Sequence, residues 1–371
     1  MSSLPPAIQR CARAGTNPSI VVTGYWPPSN EAVRRFSTDS TQNPQGWIGG
    51  NWEGRGYDVF SYFPEFTPPN CNNCGKGSGD LQVDYQDTTA DFRPLIEQHE
   101  PVAVVTMSRG NAGNDWELEM NQYNRNSWFG DFCAPFQPDP SPPDVSVPAG
   151  FLRLSQLPVQ AVVDAINAAM IGVNGYICFA GDGGGFLSEF VAYQGVWYQS
   201  DKRSPALPDW CISAGHVHVG ATVSWATAAQ VLEITLRAVI ADLDAAIAST
   251  ICQPSVTPSG PGTATLTVCG EVMATGGFSD LLFDGAPPSA FAALVAGTND
   301  ASPFQWKMGL VIPFPPLAVR ILPVDAGGRC LLRDLPGGMG PSTIFTQVVY
   351  QDASAPKGWG FTNTVAIDLL P

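Results

Sequence analysis

The segment Asp182-Gly-Gly-Gly-Phe-Leu-Ser188-Glu189 decides how this chain is interpreted, together with His216-Val-His218-Val219 about thirty residues further on. Three glycines followed by apolar residues predict a tight loop that opens a helix, with Ser188 in the first helical turn. Backbone N–H groups and the helix dipole favour a developing oxyanion at such a place. A serine with a histidine partner there indicates acyl transfer, whereas a serine alone is most often an ordinary helix cap.

Two further motifs lie upstream. Trp116-Glu-Leu-Glu119-Met-Asn-Gln-Tyr-Asn124 places a carboxylate five residues before an asparagine, and Val21-Val-Thr-Gly-Tyr25-Trp26-Pro-Pro28 is an apolar run that ends in aromatic and proline residues. A nucleophilic serine needs a base, and the base needs an acid that fixes its tautomer. Ser188, His218 and Glu119 have these three chemical types, so we predict them as nucleophile, base and acid.

The four motifs, in this order, resemble those of the type I pyroglutamyl peptidases, which read Val-Thr-Gly-Phe-x-Pro-Phe, Glu-Arg-x-Ala-x-Asn, Asp-Ala-Gly-Arg-Tyr-Leu-Cys-Asn and Phe-Val-His-Val-Pro. The domain that this resemblance implies covers about two thirds of the chain. It implies a hydrolase that removes an N-terminal pyroglutamyl or related acyl group through a Ser-His-Glu triad. It also implies substrate binding and oxyanion stabilisation by further residues, namely Tyr25, Trp26, Pro28 and Asn124 for substrate and backbone N–H groups near Gly184 and Ala112 for the oxyanion.

The sequence departs from the pattern of that family at three important positions. Ser188 stands where the family has its nucleophilic cysteine, Gly185 where it has an arginine, and Pro28 where it has a phenylalanine that holds the pyroglutamate ring. A thiol titrates near ~8.5, whereas a hydroxyl must give up its proton during the attack itself. Two functions therefore remain open: an active hydrolase with altered specificity, and a catalytically silent relative that binds a ligand or peptide.

Composition and charge restrict the class of protein. The chain has 371 residues, of which 44% are hydrophobic and 14% charged, and its formal net charge is −15. A chain of this size and apolar content folds around substantial cores. The negative charge argues against a nucleic-acid-binding surface. We expect a peptide or a small acyl substrate as the partner, and the oligomeric state stays open.

Localisation also stays open. The sequence has no apolar run long enough for a transmembrane helix, and its first residues lack the charged start and apolar core of a secretory signal. Taken as it stands, it predicts a cytoplasmic protein. Its low charge and its many Gly, Pro and Trp residues are typical of exported proteins, so export is the alternative if a signal peptide has been lost.

We predict neither a metal site nor a cofactor. Cys71-Asn-Asn-Cys74 lies in a stretch rich in Pro, Gly and Asn, without the second ligand pair of a zinc site. A local disulfide or a plain loop is favoured over half of a zinc site or a redox pair. His216 and His218 lie two residues apart on a strand and share one face, as in some metal sites. Without an acidic cluster beside them in the sequence, His216 is interpreted as a neighbour of the base.

The order of elements predicts an α/β fold with a doubly wound, mostly parallel sheet. Short apolar strands alternate with helices, of which the clearest covers residues 224–248. Ligands of such sheets bind at the carboxyl ends of the strands, where Thr23, Asp182 and His218 are expected. Residues 128–148, rich in proline and aromatic residues, are predicted either to cover the site as a lid or to cross the surface.

Beyond residue 250 the composition changes. Residues 251–262, rich in Gly, Pro and Ser, are predicted to link the α/β domain, residues 15–250, to a second domain, residues 263–371. Short apolar segments separated by Gly, Pro and Asp turns predict an antiparallel β-sandwich there. Its role stays open between adhesion or sorting and added stability.

Overall fold

The structure is a computed structural model that describes residues 16–70, 75–180, 184–257 and 260–371. The chain divides into two compact units. Of the described residues, the α/β unit contains 16–203 and Asp209–Ala246, and the β unit contains Ser204–Pro208 and Ile247–Pro371. The predictions for Cys71, Cys74 and Asp182 lie outside the described residues. The predicted boundaries at 250 and 263 stay a proposal, which limited proteolysis can test.

The α/β unit alternates strands and helices along the chain. Its strands are β1 Ser19–Thr23, β2 Asp58–Tyr62, β3 Ala103–Arg109, β4 Asp115–Glu119, β5 Asn121–Tyr123, β6 Leu152–Leu154, β7 Asn174–Cys178 and β8 Ser213–Val219. Its helices are α1 Ser29–Val33, α2 Tyr85–Glu97, α3 Val159–Ala169, α4 Leu187–Lys202 and α5 Trp225–Ser249. Among the helices that the structure describes, none combines the length and apolar character that a membrane span requires.

Six of these strands form one sheet in the order β2-β1-β3-β8-β4-β7. The first four are parallel, whereas β4 is antiparallel to β8 and parallel to β7. The predicted α/β fold with a mostly parallel sheet is therefore confirmed. The strand β4 was not anticipated from the sequence, although Asp115-Trp-Glu-Leu-Glu119 alternates polar and apolar residues as a strand between two different environments does.

Helices cover both faces of this sheet. Successive side chains of a strand point to opposite faces, so each strand supplies side chains to two separate cores. Ile20 and Val22 pack in one core with residues of α1, α3 and α5, and we call this side the α5 face. Val21 packs in another core with residues of α2 and α4, and we call this side the α4 face. A glycine lets α4 approach the sheet closely, since a Cβ on Gly195 would lie 3.1 Å from Cγ2 of Thr106.

The β unit consists of antiparallel strands, as predicted. They are β9 Ile251–Cys252, β10 Thr265–Gly270, β11 Phe278–Asp284, β12 Ala292–Gly297, β13 Phe304–Trp306, β14 Gly309–Val311, β15 Ala318–Leu322, β16 Cys330–Pro336, β17 Ser342–Gln351, β18 Trp359–Phe361 and β19 Val365–Leu369. One sheet has the order β16-β11-β10-β9, and a second has the order β15-β12-β17-β18 with β19 also paired to β17. Their facing side chains share one core, which includes Phe283 and Tyr350.

The predicted linker contributes structure to the β unit at its amino-terminal end. Strand β9 lies within residues 251–262 and pairs antiparallel with β10. Cys252 of β9 also forms a disulfide with Cys269 of β10. The sequence did not indicate this pair, because two cysteines separated by 17 residues carry no local signal of their partnership.

Candidate active site

The centre of the sheet has a polar layer on its α4 face. The register aligns Thr106 of β3, His216 of β8 and Glu119 of β4 across three neighbouring strands. One step along, it aligns Ser108, His218 and Glu117 in the same way. All six side chains point to the same face because they lie at alternate positions of their strands. The layer lies under α4, which contacts both β3 and β8. We call these six residues the polar layer.

Within the polar layer, Glu119 and His218 form a close pair. Oε1 of Glu119 lies 2.9 Å from Nδ1 of His218. This distance is within hydrogen-bond range, and the contact becomes an ion pair when His218 is protonated. Burial by itself raises the pKa of the Glu119 carboxyl, but the charge of protonated His218 and the hydrogen bonds with His218 and Gln122 together lower that pKa to about 2. The amide of Gln122 donates a further hydrogen bond of 3.2 Å to Oε2 of Glu119. An ionised acid therefore sits at Nδ1 of the histidine.

His216 is held differently from His218. It is fully buried, with Nδ1 at 2.8 Å from the hydroxyl of Thr106 and Nε2 at 2.8 Å from the hydroxyl of Ser108. Burial lowers the pKa of His216 to about 3, so the ring is neutral at physiological pH. With both ring nitrogens engaged, His216 positions its neighbours. The His216 and His218 rings lie 4.8 Å apart and nearly perpendicular.

The polar layer also meets a geometric requirement for a metal ion. Glu119, His216 and His218 each offer one ligand atom, and these atoms lie within 4.8 Å of one another. His216 could ligate a metal only by giving up its contact with Thr106 or with Ser108. The donor set therefore fits a metal poorly, because a ligating histidine ordinarily keeps one nitrogen available for the ion.

Glu117 is a second carboxylate near His218 that the sequence analysis did not identify. Its Oε2 lies 3.8 Å from Nδ1 of His218, and its side chain is largely buried. It also accepts a hydrogen bond from the hydroxyl of Tyr176, whose pKa is raised first by burial and then by this contact. Glu117 thus adds negative charge beside His218 but lies farther from it than Glu119.

Ser188 is the second residue of α4, as the glycine-rich segment predicts. Gly184 and Gly185 precede it with φ values of +71° and +74°. Only glycine adopts this left-handed conformation without strain, so the loop turns sharply into the helix. The same conformation gives a physical reason for the glycine at position 185, where an arginine side chain would be strained. Ser188 itself is partly buried at the start of the helix.

Glu189 fixes the loop before the helix. Its buried carboxylate accepts a hydrogen bond of 2.9 Å from the backbone N–H of Gly185 and forms an ion pair with Nε of Arg125. Burial raises the pKa of Glu189, and Arg125 partly counters that effect. A glutamate at the third helical position that reaches back to a preceding N–H resembles a capping box. The N–H of Gly185 is thereby occupied, which excludes it as an oxyanion donor in this conformation.

A cavity of about 190 Å³ lies beside Ser188. It is lined by Tyr25, Trp26, Val83, Ser108, Arg109, Phe186, Leu187 and Ser188. Val83 precedes α2, and the other lining residues follow β1, end β3 or begin α4, so the cavity lies at the carboxyl edge of the parallel strands, where ligands of such sheets bind. Of the predicted substrate-binding residues, Tyr25 and Trp26 line the same cavity as Ser188.

The other predicted residues lie elsewhere. Asn124 is buried, and its amide donates a hydrogen bond of 2.8 Å to the carbonyl of Asp144 and accepts one of 3.2 Å from the Asp144 N–H. Pro28 is buried at the N-cap of α1. Ala112 is exposed in the loop between β3 and β4. Asn124 therefore clamps the chain near residue 144, and none of these three lines the described wall of the cavity.

Residues 128–148, predicted as a lid or a surface crossing, border the cavity. The N–H of Phe129 donates a hydrogen bond of 2.9 Å to the carbonyl of Gly185, in the loop before α4. The rings of Phe129 and Phe186 stack at 4.3 Å, and Phe132 contacts the Trp26 ring edge-on at 5.6 Å. The segment thus supplies two aromatic side chains to the rim.

Sequence reasoning missed the residues that surround His216, His218 and Glu119 or fix the loop before α4: Thr106, Ser108, Glu117, Gln122, Arg125 and Glu189. One signal was present in part. Thr106-Met-Ser108 and Glu117-Leu-Glu119 are polar residues that alternate with apolar ones in otherwise buried strands, the pattern of a strand with one polar face. No such alternation in the sequence indicates the contacts that Arg125 and Gln122 make.

Comparisons with known proteins found structural similarity only. No protein-family model matches the sequence, and no curated protein matches it. Pyroglutamyl peptidase I from Bacillus amyloliquefaciens is similar at 16% identity and a TM-score of 0.43, over 61% of this chain and 96% of that chain. Pyrrolidone carboxyl peptidase from Thermococcus litoralis gives 13% identity, a TM-score of 0.44 and coverage of 62% and 96%. A mutant pyrrolidone carboxyl peptidase from the hyperthermophile Pyrococcus furiosus is similar at 14% identity and a TM-score of 0.44, over 61% of this chain and 99% of that chain.

Proposed function

We propose that the α/β unit is a hydrolase that transfers an acyl group through Ser188, His218 and Glu119. Ser188 is the nucleophile, His218 the general base and Glu119 the acid that orients His218 and stabilises its protonated form. The substrate is an ester or amide whose acyl group enters the cavity beside Ser188. An N-terminal pyroglutamyl or related acyl group is the substrate that the sequence motifs favour.

In the proposed reaction, Oγ of Ser188 attacks the carbonyl carbon while its proton moves to Nε2 of His218. The tetrahedral intermediate collapses, His218 gives this proton to the leaving amine or alcohol, and the acyl group stays on Ser188. A water molecule then repeats the sequence: it loses a proton to His218, attacks the ester carbonyl and releases the acid, and Ser188 recovers its proton. Glu119 remains ionised throughout, as its low pKa requires.

The observation that carries the proposal is the buried pair of Glu119 and His218. Isolation of a carboxylate from water costs several kcal/mol unless a charged partner compensates it. Glu119 is only 1% exposed and has His218 at 2.9 Å and Gln122 at 3.2 Å. An acid held at one nitrogen of a histidine in this way leaves the other nitrogen, Nε2, to exchange the proton of a nucleophile.

The oxyanion is proposed to bind to backbone N–H groups at the start of α4, close to Gly184. The first N–H groups of a helix have no partner within the helix, and the helix dipole adds positive potential there. Ala112 was the other predicted donor, and its exposed position in the loop after β3 makes it the weaker candidate. Removal of one such donor from a hydrolase lowers kcat by about 10²–10³.

Hydrolysis of fluorogenic esters and amides by the purified chain tests the proposal. We expect native protein to hydrolyse small esters, and Ser188→Ala to abolish this activity while it leaves the thermal unfolding midpoint nearly unchanged. Release of the fluorescent amine from a pyroglutamyl amide should be slow, because the thiolate of the family is absent and Pro28 replaces the ring-holding phenylalanine.

Ser188→Cys separates the nucleophile from the pocket. A gain of pyroglutamyl activity in this variant would assign the native deficit to the hydroxyl. The alternative function is a catalytically silent protein that binds a ligand or peptide. Folded native protein that hydrolyses none of the esters and none of the amides would overturn the hydrolase in favour of that alternative.

A further inference from the structure

We propose that the cavity beside Ser188 receives an apolar acyl group with a ring of about the size of benzene, and not the polar lactam ring of pyroglutamate. The orientation of the acyl carbonyl toward Ser188 rests on the proposed hydrolase function. The preference for an apolar group rests on the walls of the cavity alone.

Three polar groups of the described wall are already engaged within the protein. The hydroxyl of Tyr25 bonds the hydroxyl of Thr88, and the indole N–H of Trp26 donates to the carbonyl of Gly75 at 3.1 Å. The hydroxyl of Ser108 lies 2.8 Å from Nε2 of His216. Tyr25, Trp26 and Ser108 therefore offer a ligand mainly carbon surface.

A lactam ring needs partners that these side chains do not supply. It carries one N–H donor and one carbonyl acceptor, and both lose their hydrogen bonds to water when the ring enters a cavity. A site that hydrogen-bonds its ligand discriminates strongly against analogues, whereas an apolar wall rewards carbon surface. Val83, Phe186 and Leu187 complete the wall with further carbon atoms.

The size of the cavity agrees with a single ring. It measures about 190 Å³. A cavity of about 150 Å³ lined by aliphatic and aromatic side chains in another protein binds benzene. The rim extends this apolar surface outward, since Phe129 and Phe186 are stacked and each is more than half exposed. A phenylacetyl group would thus place its ring against this apolar surface and its carbonyl beside Ser188.

Among the described residues of the wall, Arg109 carries a charged side chain. It is partly buried at the end of β3, and it already takes part in an interaction within the protein. An acyl group that carries a carboxylate, such as succinyl, is therefore the competing ligand class. If Arg109 governed recognition, succinyl would be preferred over phenylacetyl, and the experiment includes this comparison.

Binding to the Ser188→Ala variant tests the preference without turnover. The ligands are phenylacetyl-glycinamide, pyroglutamyl-glycinamide and succinyl-glycinamide, measured by calorimetric titration. We expect the phenylacetyl compound to bind at least about tenfold more tightly than either of the others. Equal or tighter binding of the pyroglutamyl or of the succinyl compound would overturn the proposal.

Two pairs of variants connect this preference to the cavity. Phe186→Ala in the same background should weaken phenylacetyl binding about fivefold, whereas Phe136→Ala, at a residue of nearly equal exposure, 55% against 53%, should leave it unchanged. Val83→Phe fills the cavity and should weaken binding at least about tenfold, and Val145→Phe, at a residue that is 75% exposed, is its control. If Phe186→Ala and Phe136→Ala have the same effect, the ligand does not occupy this cavity.

The two proposals fail in different ways. If the native chain hydrolyses no ester but its Ser188→Ala variant still prefers the phenylacetyl compound, the hydrolase proposal is wrong and the proposal of an apolar cavity stands. If the native chain hydrolyses phenylacetyl, acetyl and succinyl esters of one alcohol at equal kcat/KM and the titrations show no preference, the hydrolase proposal stands. The proposal of an apolar cavity is then wrong.

Discussion

The two faces of the central strands differ sharply in chemistry although the same three strands build both. On the α5 face, β3, β8 and β4 present apolar side chains, among them Met107, Val217 and Leu118, in a continuous core. On the α4 face, the same strands present the six residues of the polar layer. Both faces are covered by helices, so the polar groups are not there because water reaches them.

This difference has a cost in stability, which the proposed chemistry would explain. Apolar burial stabilises a fold by about 25 cal/mol per Å², whereas a buried polar group destabilises it unless it has a partner. The polar layer is fully buried at Thr106 and His216 and nearly so at Glu119. Its members bond one another, and this keeps the cost low. In the proposed hydrolase, the α5 face contributes mainly stability and the polar layer contributes the chemistry.

The largest expected effect is that of Glu119→Gln on ester hydrolysis. The substitution keeps the shape of the side chain but removes the negative charge that stabilises protonated His218. We therefore expect kcat to fall by about 10³–10⁴, as in hydrolases whose triad acid is neutralised. Glu117→Gln is the control, because its carboxylate lies 3.8 Å from His218 instead of 2.9 Å, and should cost less than about tenfold. Equal losses in the two variants would contradict the assignment of Glu119.

Substitution on the α5 face should affect stability instead of chemistry. Leu118→Ala deletes a fully buried side chain between β4 and the helices of that face, and should lower the free energy of unfolding by about 2–5 kcal/mol. Urea unfolding measures this loss. Activity per folded molecule should stay within about threefold of the native value. A larger selective loss of activity would show that the two faces do not act separately.

Stability should decrease as the pH falls, in part because of His216 and in part because of His99, whose pKa burial lowers to about 4. The pKa of His216 is about 3 in the folded protein against an ordinary value of 6.5, so the unfolded chain takes up a proton between these values and the folded chain does not. The contribution is fully present above pH 6.5 and is lost toward pH 3, with a slope of at most about 1.4 kcal/mol per pH unit. Glu119, with a pKa of about 2 against 4.5, acts in the same direction at lower pH.

Urea unfolding at pH 7, 6 and 5 measures this dependence. In His216→Gln, the unfolding free energy should depend less steeply on pH between pH 6.5 and 5. The slope should decrease by about the amount that the uptake of one proton on unfolding contributes. An unchanged slope in that variant would mean that another group is responsible.

The smallest expected effect concerns the loop before α4. Glu189→Gln keeps an acceptor for the N–H of Gly185 but removes the ion pair with Arg125, whose side chain is 32% exposed. We expect the unfolding free energy to change by about 1 kcal/mol or less and kcat to fall less than about tenfold. Because the residue acts on the position of Ser188, KM should stay constant while kcat falls. A rise in KM at constant kcat would assign Glu189 to substrate binding.

Much of the fold was predictable from the sequence because its signals are local. The apolar strands, the long helix now seen at Trp225–Ser249 and the left-handed glycines before Ser188 each follow from periodicity or from one residue type. The strand β4 was missed because it is short and reversed relative to β8. The disulfide between Cys252 and Cys269 was missed because its partners meet only through strand pairing.

The candidate site was predictable only in part, for a physical reason. Glu119 and His218 could be named as partners because each belongs to a motif, and they lie 2.9 Å apart. Asn124 belongs to a motif as well, yet its amide holds the chain at Asp144, since a motif gives a residue type and not the direction of its side chain. The roles of Arg125 and Glu189 depend on a contact across 64 residues that no local pattern encodes.

The most direct test of the central claim is the reaction of the native chain with a fluorophosphonate probe, followed by mass spectrometry of the labelled peptide. The probe reacts with a serine only when a base activates it. We predict one label per chain, on Ser188, that is lost in Ser188→Ala and in His218→Ala but persists in Glu117→Gln. Native protein that is folded and remains unlabelled at Ser188, or that is labelled equally well in His218→Ala, would contradict the claim that Ser188 is an activated nucleophile.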